Sequence, residues 1–198
     1  MSSSKDLIIV FVKNLVLGQV KTRLAVKIGD ERAFDVYAKL IEITKSAIEN
    51  SKADIHIYFS KEIDSNLFPK HPKFEQIGEN LGQRMHNAFK KGFEQGYERI
   101  VLIGSDLPDM NDVILNQSFE ALKENDFAFG PAIDGGYYLI GMKQLSETPF
   151  KNMPWSTAFL YELTKKKIAE TSMSIGELKP LNDIDTYEDY INSSIYPL

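Results

Sequence analysis

Asp106 stands in Ile103-Gly104-Ser105-Asp106-Leu107-Pro108, directly after the apolar run 100–103. Such a run predicts a strand buried on both faces of a parallel sheet. Gly104 ends it, and Pro108, which has no N–H for the ladder, prevents its return. Asp106 is therefore expected just beyond the C-terminal edge of a central strand, where open α/β sheets bind ligands. A carboxylate there suits a hard cation such as Mg²⁺, which takes oxygen ligands and shares itself with substrate phosphates. The plainer alternative is a turn-shaping aspartate, although Asp109 is better placed to cap the next helix.

Further chemistry is spread along the chain. Lys13, Lys21 and Arg23 fall in a loop-like stretch around Gly18, directly after the apolar run 7–12. A loop in that place presents backbone N–H groups to phosphate, and the cations add charge-assisted bonds. It is neither a P-loop nor a dinucleotide fingerprint, because both glycine patterns are absent. A solvated basic loop is the competing explanation. Asp134 precedes Gly135-Gly136, a pair that permits positive φ and close approach of a ligand to the backbone. An ordinary Asp-Gly turn has the same spelling. Arg84 lies in the first turns of a predicted helix, where it meets either an anion or solvent. Trp155, the only tryptophan, stands at a loop end, lining a site or packed. Near the C-terminal end, Asp185 either caps a last helix with Glu188 or ligates the cation of Asp106; Asp183 is the other candidate ligand.

The elements that must position these groups are legible as periodicities. Strands are predicted at 7–12, 53–59, 74–77, 100–103, 127–129 and 137–140. Helices are predicted over 30–50 with Asp30 as cap, 81–95 with Asn80 as cap, and 111–123. Two more open at 155–157, with Ser156 as cap, and at 186. Strands alternating with helices give an α/β fold with a mostly parallel sheet between two helical layers. The 198 residues suit one domain, with no repeat or linker to divide it. A net charge of −5 gives no general attraction to nucleic acid or anionic membranes. No cysteine is present, which excludes disulfide and thiolate chemistry. The polar first residues and the short run behind them make neither a signal peptide nor a membrane span, so a cytoplasmic protein is expected. Nothing in the pattern fixes an oligomeric state.

Three stretches taken together resemble a known family: 11–13 through Lys21-Thr22-Arg23-Leu24, then 103–108, then Gly130-Pro131-Ala132-Ile133-Asp134-Gly135-Gly136-Tyr137 onward to Gly141. Asn80-Leu81-Gly82-Gln83-Arg84-Met85, Trp155-Ser156-Thr157 and Asp183-Ile184-Asp185-Thr186 follow the same pattern in order. The chain resembles the radical-SAM/selenodomain-associated glycosyltransferases of the arsenosugar-biosynthesis type, over nearly its whole length. The resemblance implies a nucleotide-diphospho-sugar transferase fold (GT-A-like, Rossmann-like). It implies a metal-dependent glycosyltransferase with a nucleotide-sugar donor and a small-molecule acceptor, the alternative being a nucleotidyltransferase releasing pyrophosphate. By that likeness Lys13, Lys21 and Arg23 face the nucleotide phosphates. Asp106 with Asp185, or less surely Asp183, holds Mg²⁺ or Mn²⁺. Asp134, Gly135, Gly136 and Trp155 lie on the acceptor side, with Asp134 as candidate base.

Overall fold

The structure, a computed structural model, describes residues 5–198; the polar residues 1–4 weighed above lie outside the described residues. The strands are β1 (Asp6–Val12), β2 (Asp54–Phe59), β3 (Lys73–Glu75), β4 (Arg99–Ile103), β5 (Phe127–Pro131), β6 (Tyr137–Met142) and β7 (Ile175–Glu177). The helices are α1 (Thr22–Ile28), α2 (Asp30–Glu49), α3 (Leu81–Glu94), α4 (Asp112–Glu124), α5 (Leu160–Ala169) and α6 (Tyr187–Ile191). The strands form one seven-stranded sheet in the order β3-β2-β1-β4-β6-β5-β7. All pairings are parallel except those of β6, which runs against both β4 and β5. The reason is local: β5 and β6 are joined by residues 132–136, enough for a hairpin but too few for the crossover that a parallel pair requires.

Each central strand is buried on both faces, which is why its sequence is a continuous apolar run. On one face Ile8, Val10, Val12, Val101 and Ile103 pack against α1, α2, α4 and α6. On the other, Leu7, Ile9, Phe11, Ile100 and Leu102 pack against α3 and α5. The result is the three-layer α/β architecture expected from the sequence.

Several local expectations are corrected. The loop-like stretch after β1 ends in the first turn of α1, a seven-residue helix whose N-cap, Lys21, makes no side-chain capping bond. Asp30 is the first residue of α2, not its cap, a place taken by Gly29. Asn111, not Asp109, caps α4, accepting from the Ile114 amide. The helix expected to open at 155–157 begins only at Leu160, and Ser156, at φ 63°, does not cap it. The last helix is capped by Thr186 with Asp189 in a reciprocal capping box, not by Asp185 with Glu188. β7 has no counterpart among the predicted strands; at three residues it is too short for a periodic signal. Asn80 caps α3 as expected.

The β5–β6 turn is fixed by Gly135. Its φ is +92°, and a Cβ there would lie 2.0 Å from the Ala158 carbonyl oxygen. Its own carbonyl accepts from the Tyr161 amide at 2.9 Å. Glycine is thus required by the backbone of 158–161, where the sequence had suggested a ligand. Gly135→Ala is expected to destabilise the protein by roughly 2–4 kcal/mol through left-handed strain and overpacking. Denaturant unfolding measures this, and an unchanged midpoint would contradict it.

Candidate functional site

β2 and β3 lie on one side of β1, while β4 lies on the other, so the strand order reverses between β1 and β4. That switch point opens a crevice at the carboxyl edge. Lys13 follows β1 and Asp106 follows β4, and both reach this crevice. Because β6 is antiparallel, the turn carrying Asp134 lies at the same edge. The chain after β7 then crosses the strand ends. Leu181 donates to the Pro131 carbonyl at 3.1 Å, and the Ile184 amide donates to the Asp106 carbonyl at 3.1 Å. Four separate segments thereby meet at one end of the sheet.

Lys21 is the most constrained group among them. Its side chain is 1% exposed, against 30% for Asp106, and Nζ lies 3.0 Å from Asp106 Oδ1. Nζ also donates to the Ile184 carbonyl. The Tyr37 ring lies below, 5.7 Å from Nζ. The Tyr37 hydroxyl lies 2.9 Å from Ser105 Oγ and accepts from the Lys13 amide at 2.9 Å. Tyr37 stands on the buried stripe of α2, where spacing alone indicates core. A tyrosine on an apolar helix stripe usually finds a partner for its hydroxyl, and that was the available signal for its role in bracing both loops.

The charges are unevenly matched. Burial raises the Asp106 carboxyl, but Lys21 and then Lys13 outweigh it, holding it below the ordinary carboxylate range. The Asp183 carboxyl is instead pushed up to about 6, first by burial, then by the charges of Asp134 and Asp106. Asp106, Asp134 and Asp183 therefore share one field. Asp185 does not belong to that group: it pairs with Arg23 at 2.8 Å, the two side chains being 41% and 71% exposed. An ion pair this exposed contributes little, so Arg23 is available to an incoming anion. Lys13 is exposed and close enough to act on Asp106.

The remaining predicted residues play quieter parts. Asp134 accepts from the Gly136 amide at 2.8 Å, so the Asp-Gly turn is real and the carboxylate is fixed by it. A Cβ on Gly136 would lie 3.2 Å from Asp134 Oδ1. Arg84 donates to the Gly78 carbonyl at 3.0 Å and braces the turn before α3. Trp155 is half-buried; a Cβ on Gly82 would lie 2.5 Å from its indole, so it seats residues 153–157 on the start of α3.

A divalent cation fits this donor set. Asp106 is held ionised beside Lys21 with 30% of its side chain still exposed, and Asp183 carries a charge its surroundings disfavour. Among the described residues, no group of three or more metal-ligating side chains is already assembled. Two carboxylates, with the rest of the shell from water and phosphate, is the usual arrangement for Mg²⁺.

Comparison with known proteins agrees with the fold. No curated protein matches the chain. A crystal structure from Desulfovibrio desulfuricans G20, provisionally assigned as a nucleotide-diphospho-sugar transferase, is 32% identical with a TM-score of 0.90, covering 98% of this chain and 93% of that one. The 4-diphosphocytidyl-2C-methyl-D-erythritol synthase of Anaerococcus prevotii DSM 20548 is 12% identical with a TM-score of 0.61, covering 98% and 99%. Rv0371c of Mycobacterium tuberculosis H37Rv, solved as a complex with manganese, is 12% identical with a TM-score of 0.54, covering 96% and 97%. These last two likenesses concern the fold alone. A family model described as "uncharacterized protein conserved in bacteria (DUF2064)" matches residues 43–157, and the chain belongs to that family.

Proposed function

We propose that this protein transfers a sugar from a nucleotide-diphosphate donor to a small-molecule acceptor with the help of a divalent metal ion. The observation that carries this is the meeting of Asp106, Asp134 and Asp183 at the sheet's switch point, beside the solvent-facing cations Lys13 and Arg23. The provisional assignment of the 32%-identical Desulfovibrio protein supports nucleotide-sugar chemistry. The motifs quoted above support the narrower arsenosugar-type assignment, and a cytoplasmic place goes with it. Among the described residues no helix is long and apolar enough to cross a membrane.

Asp106 and Asp183 are the residues that would hold the ion, Asp183 being preferred to Asp185 because its carboxyl lies in the field of Asp106 and Asp134. Bound there, Mg²⁺ or Mn²⁺ supplies Lewis-acid stabilisation of a diphosphate leaving group. Lys13 and Arg23 meet phosphate oxygens and stabilise charge that develops on them. Asp134, held by the Gly136 amide, is the group offered for taking the acceptor's proton. Gly136 lets the acceptor approach the backbone, and Trp155 and Arg84 shape the wall by fixing residues 153–157 and 78–80.

The direct test is product analysis with a panel of nucleotide sugars and Mn²⁺. Release of nucleoside diphosphate, abolished by Asp106→Asn, is expected. Release of pyrophosphate from nucleoside triphosphates would instead establish nucleotidyl transfer.

Arg23→Ala and Lys13→Ala should each weaken binding of a nucleoside diphosphate about 10- to 100-fold, the size of one charge-assisted contact. Calorimetry with the bare nucleoside should show little change. Equal losses for both ligands would mean that these cations do not address phosphate.

Metal-free melting curves test Asp183. Its folded pKa of about 6 lies above the ordinary value near 4. The folded state thus holds the proton more tightly than the unfolded chain, and stability is lost as pH rises from about 4 through 6. Asp183→Asn removes that loss. Its melting temperature should exceed the parent's by a few degrees at pH 7.5 and converge with it near pH 4. Parallel curves across this range would contradict the assignment.

With Mn²⁺ and nucleoside diphosphate present, Asp183→Asn should lose most of the ligand-induced rise in melting temperature. Asp185→Asn should keep it. The reverse result would return the metal to Asp185.

A further inference from the structure

Lys21 is grouped by its sequence position with the phosphate-facing cations, yet its surroundings give it a different task. It adopts φ 48°, ψ 42°, a left-handed conformation that side chains other than glycine rarely take. Strain of that kind persists where the surroundings over-determine it, and it recurs at functional sites. Here it directs the side chain inward as α1 begins. The ammonium ends against Asp106 Oδ1 and the Ile184 carbonyl, with 1% of the side chain exposed. Phosphate cannot reach Nζ without displacing those partners.

The two partners belong to the two segments that carry the candidate metal ligands. Ile184 is the neighbour of Asp183 and is held on both sides of its peptide: its amide by the Asp106 carbonyl, its own carbonyl by Lys21. We infer that Lys21 is a positioning residue, which sets the spacing of Asp106 and Asp183 so that one cation meets both; this rests on the metal assignment above. Without the ammonium, one backbone hydrogen bond still joins the two segments directly, and their carboxylates repel.

This role and simple electrostatics predict opposite signs. Removing a cation from beside Asp106 strengthens metal binding if Lys21 does no more than neutralise charge. It weakens metal binding if Lys21 arranges the ligands. The variant is Lys21→Met, similar in length and uncharged; Lys21→Gln, which keeps a donor for the Ile184 carbonyl, serves if the first does not fold.

Two readouts are taken on the full chain. Amide exchange without metal should quicken at least tenfold at Ile184 while the amides of α3 stay unchanged. Mn²⁺ alone, titrated by electron paramagnetic resonance, should bind at least tenfold more weakly, with a broadened bound spectrum. Unchanged exchange at Ile184, or Mn²⁺ bound as tightly or more tightly than by the parent, overturns the inference. If exchange quickens but the parent binds no Mn²⁺, Lys21 still positions the two segments and the metal assignment falls instead.

Discussion

Taking the Lys21 ammonium out of water is costly unless opposite charge and lone pairs surround it. Asp106 and the Ile184 carbonyl provide both, and in doing so they tie the loop after β1, the end of β4 and the segment after β7 to one point. Tyr37 extends the tie from below, joining the Lys13 backbone to Ser105. The arrangement of the carboxyl edge depends on this buried charge. It leaves Asp106 ionised in a place where burial alone would oppose ionisation.

The same constraint separates structural groups from available ones. Lys21 is fully engaged, whereas Lys13 and Arg23 face solvent and Asp183 holds a charge that its neighbours disfavour. An apo site with a carboxylate raised to about 6, first by burial and then by other carboxylates, is less stable than it need be. Such conflict is expected where function sets the geometry. A cation between Asp106 and Asp183 would relieve it.

Much of this was legible in the sequence, for reasons that can be named. The runs of β1 and β4 are continuous because both faces of a central strand are covered, and their ends located Lys13 and Asp106. Asn80 was legible as a cap because its side chain bonds the Gln83 amide directly. α1 was not, since it is short, has no capping side chain and begins from a strained lysine. Which of Asp183 and Asp185 lies in the field of Asp106 was also hidden. Asp183 and Asp185 differ by two positions, and long-range pairing with Arg23 separates them. The inward direction of Lys21 depends on a backbone conformation that lysine seldom adopts, so spacing could not reveal it. At Gly135 the sequence shows a residue that permits close approach, and the group that comes close is the backbone of Ala158.

We propose that Asp106 and Asp183 form a cation site at the switch point of the sheet. Anomalous diffraction at the manganese edge, from crystals grown with Mn²⁺ and a nucleoside diphosphate, tests it most directly. One strong peak is expected, bonded to oxygens of both Asp106 and Asp183 and to the diphosphate, with Asp185 still paired to Arg23. A peak on Asp185, or a diphosphate bound at the carboxyl edge with no metal beside Asp106, would contradict it.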